Sequence, residues 1–373
     1  MKFSVSSSDL LARLQTMGKV IEDKNSLPAL TNFHFSLNGE MLVITSANNE
    51  MRMTSVLTVN NLDGSNCNIC VPGTRLAEYL KNLSDQPVTF SVPEGSLSME
   101  ITSLTGRAVQ ACVSADDYPA EQQPEGEVKS IQMSEMTLLA GINATIFATS
   151  NDTLRPVMSG IYMDIEPTQV SFVATDTHKM ACYSRTDVNT NDITQGIVIS
   201  KRTANLLKGI LSKTEEPVNI SFSEKNVVFE SGTYKFSSRL VEGLFPQYKT
   251  VIPTNNEARV VVNRTDLVKG LARVSVFVDT TLLVKCELRS NSMHISTQDL
   301  DFSCSDNETI PCSYDGNEMS VGFSVEHLTA SLNNIEADEV VMSLSDPSRP
   351  GIISPSIEKE NEKVLIIIMP MKV

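Results

Sequence analysis

The chain has 373 residues and a formal net charge of −15, from 30 basic and 45 acidic residues. That length allows two to three domains, and such an acidic surface repels nucleic acid on average. No apolar run reaches transmembrane length, and seven scattered cysteines argue against a disulfide framework, so the composition predicts a soluble cytoplasmic protein.

The predicted elements repeat along the chain. A short strand, a hydroxyl residue followed by an acid, and an apolar helical run begin at Ser8, Ser134 and Thr265, and the acids lie about 126 and 131 residues apart. A second helical signal follows in each copy, and then further strands. Tyr118-Pro119 and Phe245-Pro246 close the first two copies at nearly the same phase. The sequence therefore predicts three copies of one domain, each with two helices and about eight strands, over residues 1–127, 128–254 and 255–373.

Basic residues concentrate on the predicted helices. Taken as 8–21, 73–83, 134–148, 201–213, 264–277 and 324–335, the helices together carry +6, which leaves −21 for the rest of the chain. Helix surfaces often carry Lys and Arg, which is the simpler interpretation, but segregation of sign by element favours a polyanion that faces the helices. Without aromatic–basic interleaving or a DNA-reading motif, we expect backbone contact that ignores sequence. The candidates are Lys24, Arg75, Lys201, Arg202, Lys208, Arg264, Lys269 and Arg273.

Motifs of catalysis are absent from the sequence: there is no P-loop, G-x-G-x-x-G, G-x-S-x-G or H-E-x-x-H. The one site-like cluster is at 174–181, where Asp176 precedes His178 by two residues and could orient it as a base. A hydrolase using Asp176 and His178 is the alternative function, although Asp-Thr is also common hairpin-turn chemistry. Cys67 and Cys70 form a C-x-x-C with no second ligand pair, so we predict neither a metal site nor a cofactor.

The C-terminus is apolar almost to its last residue. Residues 364–368 are typical of a buried final strand, whereas Met369 to Val373 continue past the point where Pro370 ends ladder pairing. A methionine-rich apolar end is an adaptable docking surface for partners.

These motifs resemble a known family. Met1-Lys2-Phe3, Leu27-Pro28, the Ala174-to-His178 segment, the 240–248 segment and the closing 369–373 segment occur in order, at the spacing of the bacterial sliding clamps, the beta subunits of DNA polymerase III. The resemblance covers the whole chain. Thr177 stands where that family commonly has a glycine, and Lys179 where it commonly has an arginine.

The resemblance implies an α+β fold of three repeated DNA-clamp domains, each with two helices packed on antiparallel sheets, forming half of a ring. Two subunits would join head to tail around duplex DNA, with Val276 and Phe277 of one meeting the strand near Arg107, Ala108 and Gln110 of the other. The implied partners are the replicative polymerase, the clamp loader and other proteins with a clamp-binding motif, without membrane contact or catalysis. Their peptide pocket would be lined by Met158, Thr175, Thr177, His178, Lys179, Met180, Pro246, Val251, Ile367, Ile368, Met369, Pro370 and Met371.

Helix geometry supports a two-subunit ring independently. Helices pack about 10 Å apart with a radius near 5 Å, so six on a circle leave a bore of roughly 9 Å and twelve leave roughly 28 Å. Only the larger bore passes a duplex about 20 Å wide, so we expect a ring-shaped homodimer.

Overall fold

The computed structural model describes residues 1–22, 27–121, 126–299 and 304–373. They form two compact units. Unit 1 comprises Met1–Met136 and Asn205–Leu240, and unit 2 comprises Thr137–Ala204 and Val241–Val373. No helix in the described part of the chain is long and apolar enough to span a membrane.

Two α-helices occur in each copy of the repeat, as predicted. They are α1 (Ser7–Met17), α2 (Gly73–Lys81), α3 (Glu135–Thr145), α4 (Lys201–Ile210), α5 (Arg264–Val274) and α6 (Val325–Asn333). The hydroxyl or amide residue before a helix works as a cap: Ser6 accepts a hydrogen bond from the Asp9 N–H, and Asn263 accepts one from the Asp266 N–H. The acid of the motif thus lies in the first turn, where it meets the positive end of the helix dipole.

Strands surround these helices in the same order in each copy. The first copy contributes β1 (Lys2–Ser6), β2 (Phe33–Asn38), β3 (Met41–Ala47), β4 (Met51–Thr58), β5 (Asn60–Asn61), β6 (Cys67–Val71), β7 (Pro87–Ser91), β8 (Ser98–Thr102), β9 (Arg107–Ala111) and β10 (Val113–Ser114). The second contributes β11 (Lys129–Ser134), β12 (Gly160–Glu166), β13 (Gln169–Thr175), β14 (Lys179–Arg185), β15 (Gln195–Ser200), β16 (Pro217–Phe222), β17 (Asn226–Ser231) and β18 (Tyr234–Arg239). The third contributes β19 (Ala258–Asn263), β20 (Leu283–Arg289), β21 (Ser292–Asp299), β22 (Cys304–Ser313), β23 (Met319–Ser324), β24 (Glu339–Leu344), β25 (Gly351–Pro355) and β26 (Glu362–Ile368).

The strands form antiparallel sheets throughout the described residues. Unit 1 contains a five-stranded sheet, in the order β5-β1-β7-β8-β9, and a nine-stranded sheet, in the order β10-β6-β2-β3-β4-β18-β17-β16-β11. Unit 2 contains a twelve-stranded sheet, in the order β15-β12-β13-β14-β26-β25-β24-β19-β22-β21-β20-β23. The α+β class and the repeated two-helix architecture predicted from the sequence are confirmed.

Two strand pairings join one copy of the repeat to the next. β4 of the first copy pairs with β18 of the second, with Arg52 opposite Ser237. β14 of the second copy pairs with β26 of the third, with Met180 opposite Ile367. We call these the first junction and the second junction. Each lies wholly within one unit: the first in unit 1 and the second in unit 2.

Candidate functional site

A small apolar cluster covers one face of the second junction. Met180 and Ile367, which oppose each other across β14 and β26, pack with Val173 of β13 and with Tyr248. Ile368, the next residue along β26, points to the other face because strand side chains alternate, and there it is fully buried in the main core of unit 2. Of the two predicted pocket isoleucines, only Ile367 belongs to this cluster.

Aromatic rings extend the cluster toward solvent. The rings of Tyr162 and Phe245 stack with centroids 4.6 Å apart, and the Tyr248 ring meets Tyr162 edge-on at 6.2 Å. The Tyr248 hydroxyl donates a hydrogen bond to Asp164 Oδ2 at 2.7 Å. The same carboxylate forms an ion pair with Lys249 Nζ at 3.0 Å, so this segment is fixed onto β12.

Exposed apolar side chains flank the residues of this region in sequence. Pro246 and Val251 are exposed, as expected of lining residues, and Met158 is half-buried in the turn that follows Pro156. Leu154 and Leu244 are 89% and 95% exposed, and sequence reasoning missed both. Isolated leucines in loops carry no periodic signal, so only the structure reveals them.

The turn at 175–179 is built around Asp176. Its Oδ1 accepts hydrogen bonds from the His178 and Lys179 N–H groups, each at 2.9 Å, and its Oδ2 forms a short ion pair with the Lys179 amine. Burial opposes the charged form, but these hydrogen bonds outweigh it and lower the pKa of Asp176 below 3.8. The carboxylate thus orients the turn and Lys179 rather than the imidazole, so the geometry does not support the hydrolase alternative.

Lys179 is buried in this arrangement, with 9% of its surface exposed, and its charge is matched by Asp176. Thr175 closes the turn by donating from Oγ1 to the Lys179 carbonyl at 2.8 Å. Thr177, at the tip, has φ of 79°, a left-handed conformation that is strained for a β-branched residue. The predicted pocket residues 175–179 thus form one rigid turn.

His178 is stacked on a second histidine that the sequence did not predict. The ring of His327, on α6, lies 5.7 Å from it, centroid to centroid, with 28° between the planes. Burial and the nearby Lys179 lower the pKa of His327, so the imidazole is held neutral at physiological pH. The two histidines are far apart in the chain, and no local pattern links them.

The C-terminal segment is anchored and does not fray. The Met369 N–H donates to the His178 carbonyl at 2.9 Å, and the Met371 N–H donates to the Gly322 carbonyl at 2.8 Å. A Cβ at Gly322 would lie 2.7 Å from the Met371 carbonyl oxygen, so β23 needs a glycine where the tail crosses it. Met369 remains exposed, whereas Pro370 and Met371 are half-buried.

The predicted DNA-binding cations differ in exposure. Arg75, Arg202, Lys208 and Lys269 are exposed, and Lys201 is half-buried with its amine 3.3 Å from Asn151 Oδ1. Lys24 lies outside the described residues.

Two of the predicted cations, both arginines on α5, have partners within the chain. Arg264 donates from Nε to the Ala337 carbonyl at 2.8 Å, and Arg273 forms a two-pronged ion pair with Glu308, with Nη2 to Oε2 at 2.9 Å. The Arg273 guanidinium lowers the pKa of Glu308. Both acceptors are distant in sequence, so the local pattern of α5 does not reveal these interactions.

The strand predicted at the subunit contact is an open edge. β9 ends the five-stranded sheet, and its alternation turns Arg107, Val109 and Ala111 outward. Ala108 and Gln110, expected there from the resemblance, point inward, and Gln110 donates to the Pro72 carbonyl at 2.6 Å. Val109, which was not among the expected contact residues, is 64% exposed and is the outward apolar residue.

The other predicted contact residues lie at the end of α5. Val276 and Phe277 occupy the turn that follows the helix, and both are exposed large apolar side chains. β22 has its own open stretch among the described residues, because β19 pairs only with its last two residues, Cys312 and Ser313.

Metal and thiol chemistry find no support in the residues that the structure describes. Among them, no group of three or more His, Cys, Asp or Glu side chains could hold a metal ion. Burial raises the pKa of Cys70 to about 11, so this member of the C-x-x-C is a protonated, unreactive thiol at neutral pH.

Comparisons with known proteins agree with the repeat. The chain matches three family models, the N-terminal, central and C-terminal domains of the DNA polymerase III beta subunit, over residues 1–122, 132–247 and 249–372. It is 24% identical to a beta sliding clamp of Vibrio cholerae and 25% identical to one of Pseudomonas aeruginosa, with full coverage of each chain. A solved sliding clamp (DNA polymerase III subunit beta) from Bartonella birtlesii, bound to griselimycin, is 26% identical and superimposes with a TM-score of 0.91 over the whole of both chains. A Bacillus subtilis sliding clamp, 22% identical, has the same fold with a TM-score of 0.91 over 100% of this chain and 99% of that one.

Proposed function

Because the chain belongs to the DNA polymerase III beta subunit family, we propose that it is a DNA polymerase processivity factor, a sliding clamp that encircles duplex DNA without reading its sequence. Its three copies act as domains with boundaries at 127/128 and 254/255. It works in the cytoplasm as a tether and not as an enzyme. The observation that carries this proposal is a pair of open strand edges, on β9 and β22. These two strands are equivalent to the strands that pair at the two junctions.

Each junction obeys one rule. The third strand after the first helix of one copy pairs with the second strand of the final hairpin of the following copy, as β4 does with β18 and β14 with β26. In the first copy the final hairpin is β8-β9, and the two-residue β10 that follows it pairs with β6 instead. The equivalent strands left over are β22 in the third copy and β9 in the first, and both have open edges within the described chain. A third junction of the same kind, made between two copies of the chain, would use both edges and close a head-to-tail ring of two.

The same rule gives a register for the contact between subunits. Superposing the buried positions of β20 on those of β12 makes Ser305 the counterpart of Met180, and superposing the last hairpins makes Val109 the counterpart of Ile367. Val109 would therefore oppose Ser305 of a second copy, and both side chains are exposed on the free strand edges. Val276 and Phe277 would add apolar area beside them.

A cross-link tests this arrangement directly. The double variant Val109→Cys with Ser305→Cys should form a disulfide-linked dimer on mild oxidation, because facing Cβ atoms on paired strands lie within disulfide reach. Each single variant is the control, since native Cys304 and Cys112 lie nearby in sequence. A double variant that stays monomeric on a non-reducing gel, or singles that link equally well, would contradict the register.

Partner binding is proposed at the second junction. The apolar cluster of Met180, Ile367 and Tyr248, with Met369 at its rim, would take aliphatic or aromatic side chains of an extended peptide. Replicative polymerase, clamp loader and other proteins with a clamp-binding motif would share it, and flexible methionines suit several partners.

DNA contact is proposed through the exposed or half-buried helix cations, Arg75, Lys201, Arg202, Lys208 and Lys269. Removing one cation that contacts a phosphate should reduce the slope of log affinity against log salt by about one unit. Lys269→Gln should do so, whereas Arg273→Gln should leave the slope unchanged, because Arg273 is already paired with Glu308.

The topological part of the proposal is tested by loading the clamp on nicked circular DNA. A closed ring cannot leave a circle without opening, but it can slide off a free end. Retention must therefore fall when the DNA is linearised, and equal retention on both forms would refute encirclement.

A further inference from the structure

The first junction, in unit 1, repeats the construction of the peptide pocket in unit 2. The Arg239 N–H donates to the Glu50 carbonyl at 2.9 Å, at the place where the Met369 N–H donates to the His178 carbonyl at 2.9 Å. In both units the end of the last strand is thus tied to the hairpin turn of the neighbouring copy.

The turns themselves are held in the same way. Asn48 Oδ1 accepts from the Glu50 and Met51 N–H groups at 2.9 and 2.8 Å, as Asp176 does from the two residues after Thr177.

A stacked ring pair lies beside each turn. The ring centroids of His34 and Tyr118 are 4.8 Å apart, and those of Tyr162 and Phe245 are 4.6 Å apart. Tyr118 and Phe245 each precede a proline, at the same phase of the repeat. The first junction therefore has the framework of a docking groove.

The side chains of the first junction are basic, whereas the equivalent side chains of the second junction are apolar. Arg52 takes the place of Met180 in the register, and Arg239 takes the place of Met369. Lys235 lies on the same face of β18 as Arg239, so three cations line one face of two paired strands. Such a concentration is unusual in a chain whose net charge is −15. The Lys235 amine is already paired with Glu121 Oε1 at 2.8 Å, which leaves Arg52 and Arg239 as the cations for a ligand.

Arg52 is only partly satisfied. Its Nη1 donates to the Pro119 carbonyl at 2.8 Å, and its guanidinium lies 5.7 Å from the centre of the Tyr118 ring. Its Nε is buried and has no hydrogen-bond acceptor among the residues that the structure describes. A buried donor without an acceptor is costly, and a carboxylate is the acceptor that a guanidinium matches best.

We propose that the first junction is a second docking site, which binds an extended peptide through an acidic side chain seated on Arg52. An aspartate or glutamate would accept from the Arg52 guanidinium, and a neighbouring apolar side chain would lie against the exposed Leu27. A nucleic acid fits less well, because Asp116, Asp117 and Glu121 follow β10 beside the same linker and would repel a continuous phosphate backbone.

A matched pair of probes tests the proposal. One is an acetylated, amidated, fluorescent Gly-Leu-Asp-Leu-Gly peptide, and the other carries Asn in place of Asp. In anisotropy titrations of the full-length protein, the Asp probe should bind at least about tenfold more tightly than the Asn probe. Arg52→Met should abolish that difference, and Arg52→Lys should keep only part of it, because Lys has no second donor in a fixed fork. Methionine occupies the equivalent position in unit 2, so Arg52→Met should fold.

Two controls distinguish this site from the pocket in unit 2 and from general charge attraction. Deletion of Met369 to Val373 and the change Arg349→Met should both leave binding of the Asp probe unchanged. Loss on the deletion would assign the probe to the pocket in unit 2, and loss on Arg349→Met would indicate non-specific charge; either would overturn the proposal. Equal affinity for the two probes, no binding, or full competition by a short duplex oligonucleotide would overturn it as well. None of these outcomes depends on whether the protein encircles DNA.

Discussion

The two junctions share a backbone and differ in chemistry. Both pair the same two strands of the repeat, close the same turn with a side-chain oxygen and place a ring pair beside it. The second lines its groove with Met180, Ile367 and Met369, and the first with Arg52 and Arg239. The fold thus supplies the same backbone frame wherever two copies join, while a few side chains set the chemistry of its surface.

The turns also differ in charge. In the second junction Asp176 holds Lys179 as an ion pair, whereas Asn48 and Met51 stand at the equivalent places in the first. The stability of the second turn therefore depends on pH, because its acceptor Asp176 ionises. The stability of the first turn does not depend on ionisation of its acceptor, Asn48. A substitution in one junction therefore has a matched control variant, which is the substitution at the equivalent position of the other junction.

Removal of the C-terminal segment should have the largest effect. Deleting Met369 to Val373 takes away the Met369 rim and both backbone hydrogen bonds of the tail, so affinity for a polymerase-derived peptide should fall about a hundredfold. The proposed dimer should persist, because the strands proposed for its contact, β9 and β22, lie elsewhere. Arg239→Ala, at the matching place in the first junction, should leave peptide affinity unchanged. Fluorescence titration with sedimentation would check both, and undiminished affinity in the truncated chain would move the pocket elsewhere.

Removal of the Asp176 charge should have the next largest effect. Asp176→Asn keeps an acceptor for the two N–H groups but leaves the Lys179 amine buried without its counter-ion. The free energy of unfolding at pH 7 should therefore fall by about 2 kcal/mol. Because the folded-state pKa of Asp176 is lowered, its carboxylate stabilises the fold above its unfolded pKa, and that stabilisation disappears as the pH falls through the folded value.

The variant should therefore differ most from the wild type near neutrality and least at acid pH, below the folded-state pKa of Asp176, in denaturant titrations at several pH values. Asn48→Ala in the first junction removes the acceptor of its turn and a neutral donor to Glu22 Oε1, but no charge, so its effect should change much less over the same range. A constant difference for Asp176→Asn as well would show that its charge contributes nothing.

The repeat and its elements were predictable because they depend on local pattern. Alternation of apolar and polar residues over 41–45, 52–59, 227–230 and 233–236 predicts strands, and β3, β4, β17 and β18 lie there within a few residues. Alternation and turn residues are short-range signals, and three copies reinforce one another. The full set of expected pocket residues came from the family resemblance and not from local pattern.

The rest depends on contacts between distant segments. Which side of β9 faces outward is set by its register with β8, and a one-residue difference exchanges Ala108 for Val109. From the sequence alone Arg273 is expected to be an unpaired surface cation. The structure shows that it pairs with Glu308, which is 35 residues away in the chain. The stacking of His178 on His327 likewise follows from the packing of α6, which no local pattern encodes.

The smallest effect should come from the tip of the turn. Thr177 has φ of 79°, whereas Asn49, its counterpart in the first junction, is not among the residues with positive φ. Glycine removes the left-handed strain at position 177, about 1 to 2 kcal/mol, but costs about 0.5 to 1 kcal/mol of chain entropy. Thr177→Gly should thus raise the free energy of unfolding by about 0.5 kcal/mol, while Asn49→Gly should lower it by a similar amount. Opposite signs in parallel denaturant titrations would confirm that only the second junction stores strain; a decrease in both variants would mean that Thr177 makes contacts that stabilise the turn by more than its strain costs.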